Sequence, residues 1–170
     1  MLVIGIDPGT ATTGYGLVRE NEDGSLTVVD YGAVITSPEQ SMSQRLLELH
    51  RRLSEIILLH RPQSGAVEKL FFQRNVTTAI SVGQGRGIAL LVLAQAGIEV
   101  GEYTPLEIKQ AVAGYGGAGK SQVQQMVRAL LGLEKIPRPD DAADALAVAI
   151  CHLHSARVQN LFEGKNDRES

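Results

Sequence analysis

Hydrophobic and polar positions change their period along this chain so as to predict strands first and then strands alternating with helices. Residues 2–7 form a nearly unbroken apolar run, Leu2-Val3-Ile4-Gly5-Ile6, closed by Asp7 and the turn pair Pro8-Gly9. A short apolar run bounded by turn residues predicts a buried strand. Residues 14–19 and 26–34 predict two more strands, joined by Asn21-Glu22-Asp23-Gly24, a strong turn signal. From 41 to 60 the period lengthens: Met42, Leu46, Leu49, Leu53, Ile56 and Ile57 recur at helical spacing, and Pro62 follows. Residues 66–68 predict a fourth strand, 77–96 a second long helix, and 98–103 a fifth strand after the Gly97 stop. The remainder reads as helices over 105–113, 121–131 and 140–156. No repeat or linker divides the chain, so residues 1–157 are expected to form one domain and 158–170 a polar, disordered tail. The whole predicts an α/β protein with a mixed five-stranded sheet, three strands antiparallel and the rest parallel, covered by helices on both faces.

Composition narrows the class. With 170 residues, 44% hydrophobic and 21% charged, the chain has enough material for a sizeable core. A single Cys151 excludes a disulfide framework within one chain and fits a reducing compartment. The first apolar run has no basic lead and is interrupted by an acid at position 7, so it does not read as a secretory signal. The longest apolar stretch, 87–98, contains Gln95 and reads as too short for a bilayer. A cytoplasmic protein without a membrane partner is expected. Net charge is −3, yet its distribution is uneven. Residues 69–128 carry Lys69, Arg74, Arg86, Lys109, Lys120 and Arg128 against three glutamates, a local excess of positive charge that suits a phosphate-binding surface.

Four acids stand where this fold can gather them. Asp7 and Glu68 each close an apolar run, and Asp141 and Asp144 lie one helical turn apart at the start of an alanine-rich helix. Singly, each has an ordinary use, Asp7 in a turn or Asp141 as a helix cap. Delivered together from two strand ends and a helix start, carboxylates make a hard oxygen-ligand cluster suited to Mg²⁺ or Mn²⁺.

Ile4-Gly5-Ile6-Asp7-Pro8-Gly9-Thr10, the strand-ending Glu68 and Asp141-Ala142-Ala143-Asp144-Ala145-Leu146-Ala147 together resemble the RuvC family of bacterial Holliday-junction resolvases. The segments 83–87, 108–110 and 120–124 agree with it, and the resemblance covers Met1 to about Arg157. It implies a ribonuclease-H-like fold and a homodimeric endonuclease that cuts four-way junction DNA in recombination and repair. Asp7, Glu68, Asp141 and Asp144 become its catalytic acids, holding two Mg²⁺ ions with Mn²⁺ able to substitute. It further implies paired nicks in strands of like polarity, 5′-phosphate and 3′-hydroxyl ends, and junction-binding and branch-migration partners of the RuvA and RuvB type. Lys109 and Lys120 match groove lysines that hold phosphates, and Phe71 matches an aromatic at the junction centre; the basic residues flanking it in this sequence, Lys69 and Arg74, are expected to contact the DNA as well. Three positions depart from the family pattern. Asp140 adds an acid beside Asp141, where the family has Asp or His; Lys69 stands where Gln is commoner; Gly119 replaces an acid before the groove lysine.

Other motifs lead elsewhere and need weighing. Residues 114–121, Gly-Tyr-Gly-Gly-Ala-Gly-Lys-Ser, match the pattern of a nucleotide-binding loop, but such a loop must leave a strand, and residues 105–113 read as a helix. An actin-like ATPase fragment needs a second phosphate loop and about twice the length. A ribonuclease-H-like nuclease acting on structured RNA is the other alternative, disfavoured by the 141–147 helix and the Lys120 region. His152 and His154, two apart on a helix, face different ways and make a poor shared metal site. The glycines between 83 and 87 are expected to admit a close backbone, with the 77–96 helix as the dimer contact.

Overall fold

Side chains of the first strand alternate between the two faces of a sheet, and that parity organises everything else. The computed structural model describes residues 1–69 and 76–166. Its elements are β1 (Leu2–Asp7), β2 (Thr12–Glu20), β3 (Leu26–Ile35), α1 (Met42–His60), β4 (Ser64–Glu68), α2 (Val76–Gln95), β5 (Val100–Tyr103), α3 (Pro105–Ala113), α4 (Lys120–Leu130) and α5 (Asp140–Asn166). The sheet order is β3-β2-β1-β4-β5, with β1–β2 and β2–β3 antiparallel and β1–β4 and β4–β5 parallel. This is the expected mixed sheet.

Leu2, Ile4 and Ile6 of β1 join Leu17, Val34 and Val67 beneath α1 and α2, where Leu49, Leu53, Ile57, Val92 and Leu93 close the first core. Val3, Val18 and Ala66 face the opposite way, into a second core formed by α3, α4 and α5. Between Val3 and Asp7 on that second face lies Gly5. A methyl group added there would meet the backbone of α5, at Ala145 O and, 2.6 Å away, Ala149 N. Gly14, paired with Asp7 across the β1–β2 ladder, would likewise meet the backbone at Asp141 and Ala142. Strand glycines against helix alanines therefore let α5 lie directly on the sheet. That contact sets the distance from the helix's first turn to the end of β1.

Several boundaries differ from expectation. β4 begins at Ser64, because its ladder to β1 (Val3↔Ser64) recruits polar and small residues that carry no apolar signal. α5 continues past 156 to Asn166, since no glycine or proline stands between 156 and 163 to stop it. The sequence reading that the longest apolar stretch, 87–98, is too short for a bilayer is corrected by α2, which contains most of it. Its twenty residues hold an 18-residue stretch of mean hydropathy 1.4 and meet that requirement by length and composition alone, because the glycines and threonines that break up the apolar run are tolerated inside the helix. Within α2, Arg86 pairs with Glu102 of β5 and Ser81 receives the Thr10 hydroxyl, so one side of the helix is tied to the sheet.

Candidate active site

Register and parity place the first two acids side by side. β1 and β4 run parallel with Gly5↔Ala66 and Ile6↔Val67 paired, so Asp7 and Glu68 occupy the next rung at the strands' C-terminal ends. Both share the parity of the residues facing α5, as Gly5 and Ala66 do. Sites in open α/β sheets form beyond such strand ends. α5 then brings Asp141 and Asp144 over the same end, its first turn pressed against Gly14.

The turn after Asp7 is fastened from two sides. Thr10 donates its hydroxyl to the Ser81 carbonyl of α2 at 2.8 Å, and Gly85 lets α2 approach so closely that an added methyl would lie 2.7 Å from Gly9 O. Thr36 donates to the Thr10 carbonyl at 2.6 Å, and Arg45 Nε donates to Thr36 Oγ1 at 2.9 Å. Arg86 Nε donates to the Glu68 carbonyl at 3.1 Å, holding the other strand end. Sequence reasoning named Thr10 only within a motif and counted Arg86 towards a phosphate surface, whereas Arg86 is spent on Glu102 and the Glu68 carbonyl; it missed both fastening roles and the real use of Gly85. A backbone does approach the glycine-rich helix, but it belongs to the chain's own Gly9 turn. Their one sequence signal was the small-residue spacing, which does not say what approaches.

The electrostatics are those of crowded acids. Burial, followed by the charges of Asp144, Glu68 and Asp141, pushes the Asp7 carboxyl up to about 8. Burial and Asp144 raise Glu68 against the pull of Lys109 and Lys120. Burial also raises Asp144, opposed by Lys120. Lys120 Nζ donates to Asp144 Oδ2 at 3.2 Å and lies 3.6 Å from Asp140 Oδ2. Burial pulls its ammonium down, but pairing with Asp144 and Asp140 outweighs this and leaves it raised. A cavity of about 210 Å³ opens beside the acids, lined by Glu68, Asp144, Lys109, Lys120 and an apolar wall that includes Ile108 and Val123. Thr104 caps α3 with Glu107 in a reciprocal box, and this fixes the helix that carries Lys109. Lys69 is exposed just beyond Glu68, its amide bonded to Tyr103 O at 2.7 Å. Phe71 and Arg74 lie outside the described residues.

The donor set is all carboxylate and carries more negative charge than nearby cations offset, as hard divalent ions require. Among the described residues, no three acidic, histidine or cysteine side chains are already drawn in to one point. The chemistry of the set fits such an ion, and Lys120 holds one of its oxygens. The raised Asp7 pKa gives a test whose sign can be worked out. The folded chain keeps a proton on Asp7 that the unfolded chain has released above its ordinary value near 3.8. This contribution to stability is therefore full below about pH 4 and is lost as pH rises towards about 8. A metal ion must displace that proton, so its affinity rises over the same range. Added Mg²⁺ is expected to raise the melting temperature at least about 3 °C more at about pH 8.5 than at about pH 6. Equal shifts in a thermal melt at both values would remove Asp7 from the ion's ligands.

The remaining motifs have other uses. Residues 114–119 join α3 to α4 rather than a strand to a helix: Gly114 is the left-handed cap of α3 at φ 87°, and Gly119 caps the start of α4. The structural context of a nucleotide loop is therefore missing. His152 Nε2 meets Ser64 Oγ at 2.6 Å and its Nδ1 meets Tyr103 OH at 2.9 Å, while His154 meets Ala111 O at 3.0 Å, so the two do share no site.

Comparison with known proteins decides the family. The model of the crossover junction endodeoxyribonuclease RuvC family matches residues 3–152. The chain belongs to this family. The RuvC proteins of Chloroflexus aurantiacus and Desulfitobacterium hafniense are 60% and 57% identical to it, over 95% and 96% of this chain and 98% and 99% of theirs. Among solved structures, Thermus thermophilus RuvC superposes with TM-score 0.87 at 40% identity, covering 94% of this chain and 97% of that one. The same protein in complex with Holliday junction substrate gives TM-score 0.85 at 37% identity, covering 93% and 96%. The fold is thus the ribonuclease-H-like one that the RuvC resemblance implied.

Proposed function

We propose that this endonuclease resolves four-way DNA junctions by paired, metal-dependent nicks in strands of like polarity, leaving 5′-phosphate and 3′-hydroxyl ends. The observation that carries the reading is the meeting of Asp7, Glu68, Asp141 and Asp144 at one sheet end beside Lys109 and Lys120. A divalent ion, Mg²⁺ with Mn²⁺ able to substitute and two per site, would be held by these four acids and stabilise charge on the attacking and leaving oxygens. Lys109 and Lys120 line the cavity beside the acids and would hold the scissile strand's phosphates against them. Lys69, Phe71 and Arg74 extend the DNA surface, with Phe71 stacking on bases at the junction centre.

Two strands must be cut, so two copies must act. α2 presents Val76, Ile80, Gln84, Gly87 and Leu91 to solvent along one stripe, opposite its buried Gly85, Ala89 and Val92. We assign that stripe to the two-fold contact of a homodimer, which sets two active sites on opposite arms of a pseudo-symmetric junction. It also accounts for the apolar length of α2 without a membrane. Junction-binding and branch-migration proteins of the RuvA and RuvB type, in the cytoplasm, complete the proposed setting.

One assay separates the readings: a synthetic four-way DNA junction, a matched duplex and a structured RNA, each with Mg²⁺, Mn²⁺ or EDTA. Symmetric nicking of the junction in either metal, with neither linear duplex nor RNA cut comparably, is the expected result. Preferential cleavage of the RNA would transfer the chain to the RNA-directed reading.

A further inference from the structure

Of the three acids at the start of α5, Asp140 has no place among those acting on Asp7. Asp144, Glu68 and Asp141 raise the Asp7 carboxyl, whereas Asp140 sits between two cations, Arg138 and Lys120. Its two oxygens are divided between them. Arg138 Nη1 pairs with Oδ1, and Lys120 Nζ stands 3.6 Å from Oδ2. The same ammonium is 3.2 Å from Asp144 Oδ2, and Asp140 and Asp144, four apart, lie on one helix face. Lys120 therefore straddles two carboxylates, one inside the acid cluster and one at its rim.

This arrangement poses a problem for a loaded site. An ion bound through Asp144 Oδ2 takes the oxygen that Lys120 now holds, and two cations then face each other with one fewer carboxylate between them. A lysine without another partner would swing its flexible stem into solvent and leave the groove. We infer that Asp140 is a positioning residue that receives the Lys120 ammonium when a divalent cation takes Asp144, keeping the lysine beside the scissile phosphate. Arg138 serves this transfer by fixing Oδ1, which leaves Oδ2 turned to the lysine. The inference rests on the proposed metal-binding role of Asp144.

Isothermal titration of the full chain with Mn²⁺ alone, without DNA, tests it in a double-mutant cycle. Asp140→Asn is expected to weaken Mn²⁺ about threefold, the scale of one partly exposed ion pair, because the displaced lysine loses its second partner. In a Lys120→Met background the same substitution is expected to change nothing, and Asp140→Glu to restore most of the parental affinity. An equal loss in both backgrounds would mean that Asp140 acts only through its negative field, and the inference would fall. A second readout does not depend on Lys120→Met folding: the side-chain ¹⁵N signal of Lys120 at saturating Mg²⁺. It is expected to stay ordered in the parent and become mobile in Asp140→Asn; an unchanged signal overturns the proposal. If the parent itself binds no Mn²⁺, the functional reading fails, whereas neutral substitutions in a parent that does bind sink this inference alone.

Discussion

Asp7→Asn is expected to bind a four-way junction within about threefold of the parent while cleaving it at least about a hundredfold more slowly, the loss that accompanies even an outer ligand of a catalytic ion. The amide keeps the shape of the carboxyl, so the fastened turn of Thr10, Ser81 and Thr36 has no reason to move. What changes is charge, at the position where it is most crowded. Burial and three neighbouring acids oppose ionisation of Asp7, so removing its charge relieves the metal-free fold. The variant is therefore expected to melt higher than the parent at about pH 8 without metal, and to respond less to Mg²⁺. Loss of activity with gain of stability is the signature of an acid kept for chemistry. Band-shift, single-turnover cleavage and thermal melts on one preparation read all three. Cleavage at the parental rate would remove Asp7 from the mechanism.

Much of this site was legible because its acids mark the ends of periodic segments. An apolar run that stops at Asp7 fixes both the strand and the exit of its side chain. Asp141 and Asp144 at helical spacing fix a shared face. Glu68 was harder, since only Ala66-Val67 precede it with apolar character, and the parallel ladder to β1 lengthens that strand to Ser64. What could not be read depends on contacts distant in sequence, which leave no period. Gly5 and Gly14 look like weak strand residues until α5 lies on them, and Gly85 looks like an interface glycine until Gly9 is found against it. Asp140 and Asp141 are not told apart by spacing, and it takes the folded chain, with Asp141 acting on Asp7 and Asp140 between Lys120 and Arg138, to separate them. The length of α2 was read within a residue at each end, but its apolar character over that length was not, because threonines and glycines interrupt the apolar run without interrupting the helix.

The closeness of α5 to the sheet leads to the second large effect. Gly5→Ala is expected to destabilise the protein by about 1–3 kcal/mol, as overpacking of a filled core does, lowering its melting temperature by about 2–9 °C. The new methyl has nowhere to go: it meets Ala145 O and lies 2.6 Å from Ala149 N, both helix backbone, so no rotamer change relieves it. The helix must lift, and Asp141 and Asp144 ride on its first turn away from Asp7 and Glu68. Metal-dependent cleavage is then expected to fall further than stability alone explains, at a temperature where the variant is fully folded. The Asp7 carboxyl, with fewer acids beside it, should move down towards its ordinary range, so the difference between Mg²⁺ shifts at high and low pH should shrink. Ala149→Gly offers a decisive control. Its methyl stands 3.0 Å from the added group, but the closer obstacles are backbone atoms, so combining it with Gly5→Ala is expected to recover little activity. Full rescue by that pair would show that a side chain, and not the approach of helix backbone to strand, sets the spacing of the carboxylates.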